Sequence, residues 1–235
     1  MSIHDHRFQI SIELAGVNPA MLASVLQGLT PAWHIDPVPS APRRARLVAP
    51  PLGYGEIAML QDVVRAVRRL GARVDETTPM ELCVDASRID ARATRNLEAL
   101  LAKQAELLAR VFGRSIDRLG FQRVKGEPFG KGAIAISLAA TLHTGELAAA
   151  IVLALAIVER ALTARAASSK PRPFDATGAR YDFRCFLLRL GLIGEEFRDA
   201  REQLLKRLPG SAAWKSGRPP RATADRAAVG AHDFP

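Results

Sequence analysis

The sequence predicts an α+β fold, with a largely antiparallel sheet of about five short strands and helices inserted between them and at the C-terminal end. Three observations lead there. Short segments with period-two alternation recur along the chain. Between them run longer stretches whose apolar residues fall at helical spacing. With 235 residues and 48% hydrophobic content, the chain can bury a sizeable core, as one domain or as one domain followed by a tail.

Residues 7–13 (RFQISIE) alternate polar and apolar side chains and read as a strand. Asn18 and Pro19 then open a helix that Thr30 and Pro31 stop. Residues 45–52 (ARLVAPPL) form a short apolar strand ending at paired prolines. Met59, Leu60, Val63, Val64, Val67 and Leu70 make a helical stripe, and Gly71 suits the C-cap. A brief strand follows over 72–75. Residues 80–86 (MELCVDA) form another, with Leu82 and Val84 on one face and Glu81, Cys83 and Asp85 on the other.

A long helix spans about residues 92–112, striped by Leu97, Leu100, Leu101, Leu108, Val111 and Phe112. The glycine-rich stretch 113–132 reads as loop. Residues 133–142 (AIAISLAATL) suggest a buried strand despite alanine's poor strand propensity. Residues 146–165 form a helix that is apolar nearly all round and therefore buried against several neighbours. After a Pro- and Ser-bearing linker, two further helices, 180–190 and 195–208, hinge at residues 191–194. The tail over 216–235 has little to bury and is expected to be disordered. No internal repeat is visible.

The 33 Lys and Arg against 24 Asp and Glu give a net charge of +9. A genome of high G+C content produces such Arg- and Ala-rich chains; an anionic partner such as ATP or nucleic acid would also suit them. The charge is spread over several helices, and two Trp and two Tyr supply no set of stacking aromatics, so nucleic acid is not the expected partner. Cys83 and Cys185 make neither a disulfide framework nor a Cys-rich metal site, which fits a reducing cytoplasm. Residues 1–7 are polar, with no signal-peptide core after them. The longest apolar run, residues 147–158, falls short of the roughly 20 residues needed to cross a bilayer. A soluble cytoplasmic protein without a membrane partner is expected.

Two longer stretches carry a family resemblance. The first joins LVAPPL at Leu47, the helix ending in RLGARV, ELCVDAS at Glu81 and RNLEALLAKQAELL at Arg95. The second joins TLHTGELAAAIVLALAIVERALTARAASSK at Thr141 to FLLRLGLIGEEFRDAREQLLKRLPGSAAWK at Phe186. In order and content they resemble the amidoligase family, and the likeness covers most of residues 7–215. The resemblance implies an amidoligase-like domain over 1–215, with the basic tail 216–235 beyond it. The implied fold is a curved antiparallel sheet lining an ATP pocket, as in glutamine synthetase and glutamate–cysteine ligase. The implied activity is ATP-dependent joining of a carboxylate to an amine through an acyl phosphate, with ATP and Mg²⁺ as cofactors. The carboxylate and amine would come from a peptide, an amino acid or a cell-wall fragment.

That chemistry needs carboxylates to hold Mg²⁺, cations against the transferring phosphoryl group and a base for the amine. The family's first strand carries two Glu at alternate positions; the matching strand here has Gln9, Ser11 and Glu13. The Glu before the family's Val-Ser-Pro-Pro run is replaced by Arg46, a reversal that repels Mg²⁺. The family's His-x-His-Val-Asp strand becomes Glu81, Cys83 and Asp85, and its Glu-Phe-Arg strand becomes the uncharged run 133–140. The retained candidates are Glu13, Glu81 and Asp85 for the metal, and Glu81, Asp85 and His143 for catalysis. Lys125 and Lys131, in the Gly-bearing loop, are the candidates for nucleotide phosphates. Asp85 also suits a cap near Ser87, and His143 a structural hydrogen bond at a helix start. So much of the polar set is missing that a second expectation stands beside the first: a catalytically inactive amidoligase-like scaffold, acting as a partner subunit or homo-oligomer.

Overall fold

In the computed structural model, which describes residues 2–29, 32–74, 79–113, 121–124, 129, 132–171 and 173–215, the first alternating segment becomes the strand around which the sheet is built. This is β1 (Arg7–Ala15), where Phe8, Ile10, Ile12 and Leu14 are buried and the residues between them are not. It is followed by α1 (Pro19–Leu29), β2 (His34–Pro37), β3 (Arg44–Val48), β4 (Leu52–Gly53), α2 (Ile57–Arg69), β5 (Arg73–Val74) and β6 (Pro79–Asp85). The remaining elements are α3 (Ala91–Phe112), β7 (Phe121–Val124), β8 (Ala133–Ala139), α4 (Thr144–Thr163), α5 (Ala179–Arg189) and α6 (Arg198–Leu205).

Among the described residues the sheet has eight strands along the order β2-β3-β1-β6-β8-β7, with β4 and β5 pairing onto β1 beside β3 and β6. Every pairing among these residues is antiparallel, and the sheet they form does not close. The fold class is therefore α+β with an open antiparallel sheet. The extra strands have physical causes. Pro50 and Pro51 lack amide donors, so the apolar run 45–52 splits: β3 pairs along β1, and β4 returns to pair with Arg7 and Phe8. The largely exposed β2 and the four-residue β7 are too short for period two to announce them. β7 pairs along β8 inside the stretch that reads as loop. The alanine-rich β8 forms because β6 and β7 flank it on both sides, so its backbone is satisfied whatever its propensity.

The helices start and stop where their caps direct. Asn18 accepts from the amides of Ala20 (2.9 Å) and Met21 (3.3 Å) at the entry to α1, and Asp90 accepts from Ala93 (2.7 Å) at the entry to α3. Gly113 ends α3 in the left-handed conformation at φ +63°, where a Cβ would stand 2.6 Å from Arg207 Nη1. The core runs along α4, in which Leu147 and residues 149–158 are all buried. It packs against α2, α3 and α6. Each fully buried Leu or Ile there is worth about 1.5–3 kcal/mol.

The C-terminal carbonyls of α4, which no helix can satisfy by itself, are met from α3. Asn96 donates to Ala161 O (3.1 Å) and Ala164 O (2.8 Å) and accepts from Ala167 N (2.9 Å). Arg92 donates to Leu162 O and Ala164 O, both at 3.0 Å. Among the described residues no helix is long and apolar enough to cross a membrane.

Candidate functional site

The alternation that buries one face of the central strands leaves Ser11 and Glu13 of β1, Arg44 and Arg46 of β3, Glu81, Cys83 and Asp85 of β6, and Ser137 of β8 on the other. Register then decides which of them meet. Glu13 stands opposite Arg46, and Arg46 opposite Asp36 of β2. Ser11 stands opposite Glu81, and Glu81 opposite Ser137. Glu13 and Glu81 are therefore diagonal neighbours on adjacent strands, about 7–8 Å apart.

Glu13 is already engaged. Arg44 Nη1 lies 3.1 Å from its Oε1, and only 19% of the Glu13 side chain is exposed. Glu81, by contrast, is exposed. Asp85 lies four residues further along β6, about 13 Å from Glu81 at the usual strand rise. Its Oδ1 accepts from Ser87 N (2.8 Å) in an Asx turn and caps no helix, since the N-cap of α3 is Asp90. His143 is the N-cap residue of α4 and is exposed; its amide donates to Thr141 Oγ1 (3.1 Å) and its ring caps nothing. Lys125 and Lys131 lie outside the described residues. The sheet thus brings Glu13 and Glu81 together and sets Asp85 apart. Among the described residues, no three His, Cys, Asp or Glu side chains stand close enough to hold a metal ion. As placed, Glu13, Glu81 and Asp85 do not make the three-carboxylate set that the resemblance implies for Mg²⁺.

Arg44 is the residue that sequence reasoning missed. A strand begun at Ala45 leaves it outside, whereas the R-A-R alternation, extended one residue back, puts it on the same face as Arg46. Cys83 sits between Glu81 and Asp85, half-buried. Burial pushes its thiol above the ordinary range, and the Glu81 carboxylate adds to the effect. Tyr54, on the helix side, is pushed up to about 12, chiefly by burial and further by its bond to Glu196. His4 reaches the same carboxylate at 3.3 Å and packs edge-on to the Tyr54 ring.

Two cavities of about 320 Å³ open among the helices. One lies between the ends of α3 and β8 and the start of α4, where Arg207 bonds both oxygens of Glu146 at 3.3 Å and Thr141 Oγ1 donates to Glu146 Oε2 at 3.2 Å. The other lies between α2, α4 and α6, with Tyr54, Glu196, Asp199 and Glu202 in its wall. Neither is lined by Glu13, Glu81, Asp85 or His143. No known protein-family model matches the chain, and neither does any curated protein.

Proposed function

We propose that this chain is an amidoligase-type scaffold, with the sheet arrangement of glutamine synthetase and glutamate–cysteine ligase, whose own ATP-dependent chemistry is lost and which serves as a partner subunit or homo-oligomer. One observation carries the reading: the carboxylate of Glu13, the surviving member of the first-strand pair, is held by Arg44 and faces Arg46. A guanidinium on Oε1 competes with a Mg²⁺ ion for that oxygen, and a second positive charge opposite raises the cost of bringing one in. The open face would then serve recognition or assembly.

The other reading is a working ligase that joins a peptide, amino-acid or cell-wall carboxylate to an amine through an acyl phosphate. It is supported by the diagonal placement of Glu13 and Glu81. Thermal unfolding with and without millimolar ATP·Mg²⁺ separates the two. A nucleotide-binding ligase is stabilised by mass action, by several degrees at concentrations well above Kd. The scaffold reading expects no shift. A shift that disappears in Glu13→Ala/Asp85→Ala would sink it and restore the ligase.

A further inference from the structure

The open sheet face sets two guanidinium groups among its carboxylates. Arg44 and Arg46 project from alternate positions of β3 onto the same face as Glu13 and Glu81, and Arg46 also stands opposite Asp36 of β2. Glu13, mostly shielded from water, requires a counter-charge, and Arg44 supplies it at 3.1 Å. Position 46 is directly opposite Glu13, which places their Cβ atoms about 5 Å apart. Glu81, on the next strand, is diagonal to Glu13, and the hydroxyls of Ser11 and Ser137 flank it in its own cross-strand row.

We propose that the guanidinium groups of Arg44 and Arg46 stand on this face in place of a divalent cation, so that the native chain binds none there, and that a carboxylate at position 46 returns such a site. The inference rests on the reading of an amidoligase-type scaffold. With Arg44→Ala and Arg46→Glu, the new carboxylate at position 46 stands in one cross-strand row with Glu13 and Asp36, and both guanidinium groups are gone from these positions. Mutual repulsion then destabilises the apo protein, and a hard divalent ion relieves it.

The experiment uses the full chain without nucleotide. Unfolding is followed in chelator, in MnCl₂ and in MgCl₂, with KCl at matched ionic strength to separate binding from screening. The native chain is expected to show no metal-dependent shift. The double variant is expected to melt lower in chelator and to gain about 3 °C or more in MnCl₂ at ten times Kd. Adding Glu13→Gln to the double variant is expected to remove that gain.

Two results overturn the inference: Mn²⁺ binding by the native chain that Glu13→Gln abolishes, or a folded double variant that calorimetry shows to bind neither ion. If the double variant does not fold, the comparison of the native chain with Glu13→Gln decides alone. Failure here is distinguishable from failure of the scaffold reading. ATP·Mg²⁺ stabilisation that persists in Glu13→Gln sinks the loss of nucleotide chemistry and leaves the guanidinium assignment intact.

Discussion

On the helix-covered side of the sheet, Phe8, Ile10, Ile12 and Leu14 press into the core, and α4 behind them is closed at its C-terminus by Asn96 and Arg92. On the other side of the same strand, Ser11 and Glu13 look onto Arg44, Arg46 and Glu81. The first region is held by buried area and by the side-chain bonds that close α4; the second is held by register and by ion pairing. Burial on the first side tolerates almost no change in volume or polarity, because cavities and orphaned carbonyls are expensive. Ion pairs on the second, partly in water, contribute little to stability, so residues there are free to diverge while the fold survives.

The comparison is broken or sharpened most by substitutions in α4. Leu153→Ala removes a fully buried side chain at the centre of the core and is expected to cost about 2–5 kcal/mol in denaturant unfolding. A cost below about 1 kcal/mol would mean that α4 is not the centre of stability. Next comes Asn96, whose replacement by Ala removes the partner of Ala161 O and Ala167 N, while Arg92 still donates to Ala164 O, at about 1–3 kcal/mol for each orphaned group that water does not reach. Asn96→Asp should rescue little, since a carboxylate keeps the acceptor for Ala167 N and loses both donors to α4.

The smallest effect lies on the open face and leaves stability nearly unchanged. Cys83 is held in its thiol form by burial first and by Glu81 second, so alkylation by iodoacetamide should rise only at a pH above that of an ordinary cysteine. Glu81→Gln removes the second cause and should move the pH–rate profile part of the way down. An unmoved profile would mean that the two side chains do not share the face as the register requires.

Elements with long or regular periodicity are legible in the amino-acid sequence. β1, α2, α3 and α4 fall within a few residues of where alternation, striping and caps place them. β2 and β7 are not legible, since four residues carry too little pattern to separate a strand from a loop. The split of β3 from β4 is marked by Pro50 and Pro51, yet only the return of β4 to β1 shows where the chain goes next. Of the candidate site, the placement of Glu81, Cys83 and Asp85 on one face follows from period two alone. The distance of Asp85 from the others follows too, once rise per residue is counted.

Local sequence determined which side chains share a face, because alternation and helical striping are properties of the backbone that any neighbour inherits. It did not determine which strands lie side by side. The pairings of Glu13 with Arg46 and of Ser11 with Glu81 depend on where each strand is held against the next, and that is settled by the packing of Phe8, Ile10, Ile12 and Leu14 on the helices. The bonds from Asn96 to the end of α4 cross 65 and 68 residues of chain and exist only because α3 lies along α4. Tertiary structure alone turned Arg44 from a residue before a strand into the partner of Glu13, since an ion pair across strands is a matter of distance in space and not along the chain.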